Sequence, residues 1–168
     1  MTRNVQSSED RSVVPNEEEQ MAPITESIEI NRRPEDVFAY LDDVKRHGEW
    51  QQQIVDVLRQ DDGPLKVGSR VTETRRVPGG DRKMTYEVTE HDPPRQSSFQ
   101  VLDGPIRAAG TVAVEPVGDG SRSRVKITID FTGHGLGGKV LLPMAKAQAR
   151  KQIPKDQARM KELLESHH

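Results

Sequence analysis

Glu73 and Arg75 lie two residues apart in a segment of strand character, and together they could support proton transfer. If Val71 and Val77 point into the interior, the two-residue period of a β-strand carries Glu73 and Arg75 to the same face. Burying a carboxylate and a guanidinium is costly, so such pairs tend to serve a role or to lie near water. Glu73 would act as a base, and Arg75 would pair with an anionic or carbonyl oxygen. The other register puts both outside, in a solvated ladder of salt bridges.

Tyr86 is the third candidate for chemistry. It alternates with Thr85 and Glu87 and shares one face of its strand with Met84 and Val88. Its hydroxyl is suited to orienting a ligand carbonyl. The alternative is a core tyrosine whose hydroxyl is satisfied by the backbone.

Other catalytic patterns are missing from the sequence. His47, His91 and His134 are scattered, and no His-x-x-x-His or carboxylate cage accompanies them, so we expect no metal site and no cofactor. No Gly-x-Ser-x-Gly elbow for a serine hydrolase is present. The absence of cysteine removes disulfides, thiolate zinc sites and cysteine nucleophiles.

The segment 133–138 reads Gly-His-Gly-Leu-Gly-Gly and satisfies the Gly-x-Gly-x-x-Gly pattern of dinucleotide-binding loops. A dinucleotide fold must return to a parallel strand after the helix, and the predicted helix here runs to the end of the sequence. We therefore interpret these glycines as a flexible joint at a cavity entrance.

The elements that must position these residues are mostly strands. Alternating apolar residues and turn signals predict seven strands with hairpin-length connections, so the sheet is antiparallel and the fold class is α+β. The predicted strands lie at 24–30, 54–59, 70–77, around 84–89, around 99–101, at 111–117 and at 125–131.

Two helical regions complete the pattern. Pro34 followed by Glu35 and Asp36 predicts a helix start, and that helical region breaks near Gly48. Apolar residues at three-to-four spacing over 139–165 predict one long amphipathic helix at the end, bent at Pro154.

Length and composition predict one domain. The chain has 168 residues, a net charge of −2 and 32% hydrophobic residues. We predict a disordered acidic N-terminal extension over 1–22 and a ligand-binding domain over 23–166. No apolar run is long enough for a bilayer-spanning helix, so we expect no stable membrane insertion and a cytoplasmic location.

Several ordered stretches resemble the SRPBCC or START-like superfamily, in its polyketide cyclase/dehydrase-like branch. They are ITESIEINRRPEDVFAYLDDVKRHGEW, GSRVTETRR, MTYEVTEHDPPR, GTVAVEPVGDGSR and KVLLPMAKAQARKQIPKDQARMKELLE. The resemblance implies the helix-grip fold, in which a curved seven-stranded antiparallel sheet wraps a long C-terminal helix and leaves a cavity. The residue pattern itself predicts the order of one strand, two short helices, six antiparallel strands and a long terminal helix. Its members include lipid carriers, aromatase/cyclases and chaperone activators, so it does not name a ligand.

The residues themselves favour an unfilled space between sheet and helix. Few aromatic side chains are available to fill it, and Ala145 and Ala149 on the helix are small. The alternative is that Met84, Leu142 and Met144 collapse into the gap. The predicted lining residues are Phe38, Trp50, Val71, Met84, Tyr86, Phe99, Val101, Val112, Phe131, Leu142, Ala145 and Ala149.

Three functions follow from this interpretation. The first is a carrier or sensor of a small hydrophobic molecule, aromatic or polyketide-like. The second is a polyketide cyclase, aromatase or dehydratase using Tyr86, Glu73 and Arg75. The third is a protein-interaction module with a closed cavity. We expect a monomer or weak homodimer.

The basic terminal helix could attract an anionic membrane, RNA or an acidic partner. Alternatively, it presents a solvated face opposite the acidic extension. Because exposed aromatic residues do not accompany its charges, we expect no nucleic-acid binding.

Overall fold

A computed structural model describes residues 22–166 of the chain. In chain order the elements are β1 (Ile24–Ile30), α1 (Pro34–Asp42), a 3₁₀ turn (Val44–Arg46), α2 (His47–Trp50), β2 (Ile54–Arg59), β3 (Arg70–Val77), β4 (Gly80–Asp92), β5 (Gln96–Val101), β6 (Ile106–Val117), β7 (Arg122–Gly133) and α3 (Gly135–Ser166). The predicted extension over 1–22 lies, apart from Ala22, outside the described residues.

The seven strands form a single antiparallel sheet in the order β1-β7-β6-β5-β4-β3-β2. The sheet is curved, and α3 packs across it on β1, β7 and β6. This arrangement confirms the predicted α+β class and the helix-grip fold.

Local sequence signals explain the first helix. Pro34 occupies its first turn together with Glu35 and Asp36, as the sequence predicts. Val37 and Phe38 are buried on the side that packs against β6 and β7. The helix thus closes one end of the sheet.

Strand β7 shows the alternation that defines the two faces of the sheet. Val125 and Ile127 are buried, whereas Arg124 and Lys126 between them are exposed. The same face of the strand carries Phe131, which is half-buried. This concave face therefore points toward α3, and the convex face meets solvent.

The C-terminal half of α3 is anchored to the sheet. Ile153, Met160 and Leu164 are buried in the core. Gln157 donates its side-chain amide to the carbonyl of Glu26 in β1 at 3.1 Å. One helix runs through both Pro143 and Pro154, and the bend expected at Pro154 stays a prediction.

The N-terminal end of α3 differs from the prediction. The helix begins at Gly135, not at Lys139, so most of the glycine segment belongs to it. Gly138 is buried against the carbonyl of Pro105, leaving no room for a Cβ. Gly133 and Gly138 thus permit close packing of the helix start, whereas the role of the glycine segment as a flexible joint stays a prediction. Strand β6 likewise begins earlier than predicted, at Ile106.

No helix within residues 22–166 combines the length and the apolar character needed to span a membrane.

Candidate functional site

Strand register places the predicted site residues of the sheet on one face. Val71 in β3 pairs with Tyr86 in β4, which pairs with Val101 in β5. Two residues further along β3, Glu73 pairs with Met84 in β4. Because side chains alternate every two residues, all of these side chains project from the concave face.

The predicted lining residues fall into two classes of exposure. The buried ones are Phe38, Trp50, Val71, Tyr86 and Val101. The half-buried ones are Met84, Phe99, Val112, Phe131, Leu142, Ala145 and Ala149. The half-buried set marks where the concave face and the first half of α3 still meet water.

These residues do not form one continuous lining. Phe38 and Trp50 belong to an apolar cluster under the second half of α3, and Val112, Phe131 and Ala149 pack against that cluster. A second cluster, mainly on β3, β4 and β5, contains five more of them: Val71, Tyr86, Val101, Met84 and Phe99. Leu142 and Ala145 belong to neither cluster.

Two surface depressions are resolved elsewhere on the molecule. One, of about 200 Å³, is lined by Gly48 and the start of β2. The other, of about 270 Å³, lies beside Tyr40, Arg46 and Leu164. Neither depression is lined by any of the predicted pocket residues. The expectation of a cavity under α3 stays a prediction, and what the structure describes there is a concave sheet surface with half-buried apolar side chains.

Glu73 and Arg75 form an ion pair on that surface. The Glu73 side chain is 2% exposed, and Arg75 donates from Nε to its Oε2 at 3.0 Å. Arg75 Nη2 lies 2.9 Å from the same oxygen and also donates to the amide oxygen of Gln51 at 2.6 Å. Glu73 therefore does not lie in the solvated ladder of the outward register.

His47 contacts the other oxygen of the Glu73 carboxylate. Its Nδ1 is 3.5 Å from Oε1, and its Nε2 is 2.8 Å from the carbonyl oxygen of Leu41. A carbonyl can only accept, so Nε2 carries a hydrogen, and Nδ1 can donate to Glu73 only when the ring is protonated. The ring of His47 thus links the Glu73 carboxylate to the backbone at the end of α1.

The electrostatics of this group favour an ionised Glu73. Burial would raise the pKa of Glu73, but the hydrogen bond from His47 and the charge of Arg75 outweigh it and hold that pKa below its usual range. Burial, followed by the negative charge of Glu73, raises the pKa of the Tyr86 phenol well above its usual value. At neutral pH the site thus offers a carboxylate and a neutral phenol that can donate a hydrogen bond.

Asp156 brings α3 into the same polar group. Burial raises the pKa of its carboxyl, while the Gln152 amide, the charge of Arg75 and the backbone N–H of Gln52 act against that rise. Gln152 donates to Asp156 Oδ1 at 2.8 Å. Arg75 thus lies in the field of one carboxylate on the sheet and another on the helix.

Sequence reasoning missed three members of this group. It treated His47 as a scattered loop residue, and it did not consider Gln51 or Asp156. Asp156 did carry a signal, since it follows Ile153 by three residues and precedes Met160 by four on the buried face of α3. Across residues 22–166, the structure contains no cluster of three or more side chains that could hold a metal ion.

The low pKa of Glu73 limits the chemistry that its carboxylate can perform. A general base works best when its pKa is near the operating pH, and that of Glu73 is held low. Arg75 and Tyr86, by contrast, both present hydrogen-bond donors beside apolar side chains of the concave face. The arrangement therefore suits binding of an oxygen-bearing apolar molecule better than proton abstraction.

Comparison with sequence families adds an independent finding. A family described as "Polyketide cyclase / dehydrase and lipid transport" matches residues 21–165. No curated protein matches the sequence.

Solved structures with similar folds have little sequence identity to the chain. A START superfamily protein from Mycobacterium smegmatis superposes with a TM-score of 0.72 at 12% identity, covering 88% of this chain and 99% of that one. The Zhui aromatase/cyclase from Streptomyces sp. R1128 gives 0.67 at 15% identity, covering 86% and 91%. The di-domain aromatase/cyclase BexL gives 0.66 at 19% identity and covers 84% of this chain and 46% of that one. At these identities the likeness shows the fold alone.

Proposed function

Because this chain belongs to the polyketide cyclase/dehydrase and lipid transport family, we propose that it binds a small hydrophobic molecule between the concave face and α3. Its role on this proposal is that of a carrier or sensor, and the ligand is aromatic or polyketide-like. The proposal concerns the ligand class and the surface that holds it.

The observation that carries the proposal is the band of half-exposed apolar side chains on the concave face. Met84 and Phe99 lie on β4 and β5, and Phe131 lies opposite Ala108 across β6 and β7. These apolar side chains on the concave face are still in contact with water. A ligand that covers them is stabilised by about 25 cal/mol per Å² of apolar surface removed from water. A ligand on this band would also reach the second cluster, which includes Tyr86.

Polar groups at one end of the band supply orientation. Tyr86 keeps its proton, and Arg75 retains donors beyond those it gives to Glu73 and Gln51. A carbonyl, carboxylate or hydroxyl oxygen on the ligand would find a donor there. Ligand sites commonly combine an apolar lining with a few such groups.

A matched pair of alanines tests the site. Ala108 is half-buried on the concave face, and its neighbour Ala109 is exposed on the convex face. We expect Ala108→Phe to weaken saturable binding of anilinonaphthalene sulfonate by about tenfold, or about 1.4 kcal/mol, because the ring occupies the band. Ala109→Phe should leave the dye affinity unchanged. Fluorescence titration measures both, and native mass spectrometry of the protein from its own host identifies a co-purifying ligand.

Equal affinities for the dye in the two alanine variants would refute this placement of the ligand. Absence of dye binding in the wild-type protein, together with absence of a co-purifying molecule, would favour the protein-interaction module.

A second candidate function is the cyclisation or dehydration of a polyketone. The observation that favours it is Tyr86, a phenol that keeps its proton in the field of the Glu73 carboxylate, because such a phenol can donate a hydrogen bond that stabilises a developing enolate oxygen. On this hypothesis Tyr86→Phe lowers turnover of a linear polyketone thioester by about 10²-fold or more. The affinity for the dye should stay within about twofold, because the ring that packs in the band is unchanged.

Product analysis by mass spectrometry measures that turnover. A wild-type protein that binds the thioester and releases it unchanged would exclude the second candidate and leave the first intact.

A further inference from the structure

The first half of α3 carries large apolar side chains on the face that points away from the sheet. Leu136 is 86% exposed, Val140 77% and Met144 65%. A spacing of four residues aligns these three along one side of the helix. They lie roughly opposite Ala149, which packs against the core.

Such an arrangement is unusual for a helix that covers a sheet. A surface helix normally has polar residues opposite its buried stripe, and contiguous apolar patches on the surface mark interaction sites. In the second half of the helix, the outward side is polar, as Lys151 and Lys155 are both exposed. We call Leu136, Val140 and Met144 together the outer apolar stripe.

Charge around the outer apolar stripe indicates the partner. Residues 135–155 contain five Lys or Arg residues and no Asp or Glu. Of these five, Lys139, Lys151 and Lys155 are exposed. A second copy of this helix packed on the first would bring like charges together, whereas an anionic surface would be attracted to both the charge and the stripe.

We infer that α3 docks on an anionic lipid bilayer, with the outer apolar stripe of its first half in the headgroup region and the exposed lysines of residues 135–155 beside lipid phosphates. Amphipathic helices with apolar and basic side chains bind membranes in this interfacial way. The inference is independent of the proposed ligand, because the concave face lies on the other side of the helix.

Sedimentation with lipid vesicles tests the docking. The full chain should pellet with vesicles of phosphatidylglycerol and phosphatidylcholine in equal parts, and not with phosphatidylcholine alone. Raising the salt concentration should weaken the binding. The double variant Val140→Glu/Met144→Glu should lower the bound fraction by about tenfold, because it places charge in the apolar stripe.

A control double variant separates the stripe from general charge effects. Leu58 and Val67 are also exposed apolar residues, at 57% and 61%, so Leu58→Glu/Val67→Glu makes the same change in net charge elsewhere. This variant should bind at least several times better than Val140→Glu/Met144→Glu. Circular dichroism of both double variants should match the wild-type spectrum, since all four positions are exposed.

Reversing the charge of exposed lysines provides a second test in the same sedimentation experiment. Lys151→Glu/Lys155→Glu should lower binding, whereas reversal of the exposed Arg82 and Lys83 on β4 should lower it less. Equal loss in the two reversals would overturn the docking face. So would wild-type protein that ignores anionic vesicles, or that forms a dimer broken by Val140→Glu/Met144→Glu in analytical ultracentrifugation, which would assign the stripe to a second copy.

Discussion

Replacing Arg75 with methionine is expected to lower the free energy of unfolding by about 3 kcal/mol at pH 7, the lower end of the range for breaking a buried ion pair. The reason is the burial of Glu73, whose carboxylate accepts from Arg75 Nε at 3.0 Å and is 2% exposed. Without the guanidinium, a charge stays buried with only His47 beside it. Urea denaturation followed by tryptophan fluorescence measures the loss.

The neighbouring residue provides the matched control. The Arg76 side chain is 74% exposed, and its contact with Asp81 is 3.9 Å long. Arg76→Met should therefore change the stability by no more than about 0.5 kcal/mol. The double variant Glu73→Met/Arg75→Met should recover most of the loss, because no charge is left unpaired. Equal losses in Arg75→Met and Arg76→Met would show that the pair does not support the fold.

The difference in stability between the wild type and Arg75→Met should depend on pH, and the direction of that dependence follows from the pKa of Glu73. The pKa of Glu73 in the folded wild type is below its usual 4.5, so its contribution to stability is present above pH 4.5 and lost as the pH falls through the lower folded value. In Arg75→Met the carboxylate loses one of the charges that lower its pKa. The difference in stability between wild type and variant should thus be largest near neutrality and shrink below about pH 4.5.

Local patterns in the sequence account for most of the strands. Period-two alternation places Val125 and Ile127 on the buried face of β7, and the bounds of β1, β2 and β3 agree with the prediction. Such patterns work because one face of an antiparallel sheet is buried and the other is wet. Strand β6 was predicted too short because the Ala108, Ala109 and Gly110 at its start carry no alternation in hydrophobicity.

The polar site could be predicted only in part. The shared face of Glu73 and Arg75 follows from the register of β3, once Val71 is placed inside. His47 lies 26 residues from Glu73 in sequence, and Asp156 lies on the last helix. Contacts of this kind depend on how α2 and α3 pack over the sheet, which no local pattern encodes.

The shape of the interior is also a property of packing. The small side chains of Ala145 and Ala149 indicated an unfilled space, and that expectation stays a prediction. The structure shows that α3 packs on β1, β7 and β6, whereas the second cluster lies mainly on β3, β4 and β5. One contact that positions α3 on the sheet is the close approach of its start to the loop before β6, at Gly133 and Gly138.

Gly138→Ala is expected to destabilise the protein by about 2 kcal/mol or to displace the first turn of α3. An added Cβ would overlap the carbonyl oxygen of Pro105 and lie 3.1 Å from the carbonyl carbon of Gly133. The Pro105 oxygen is fixed, since it accepts from the backbone N–H of His134 at 2.8 Å. Backbone on both sides of Gly138 therefore leaves no flexible side chain to move aside.

The substitution of Gly137 is the control for the difference in helix propensity between glycine and alanine. A Cβ at Gly137 would meet nothing within 4 Å, so Gly137→Ala should stabilise the protein by about 0.5–1 kcal/mol through the higher helix propensity of alanine. The two substitutions add the same methyl group to adjacent residues of one helix and should have opposite signs in thermal unfolding. A stabilising Gly138→Ala would mean that α3 does not approach the Pro105 carbonyl so closely.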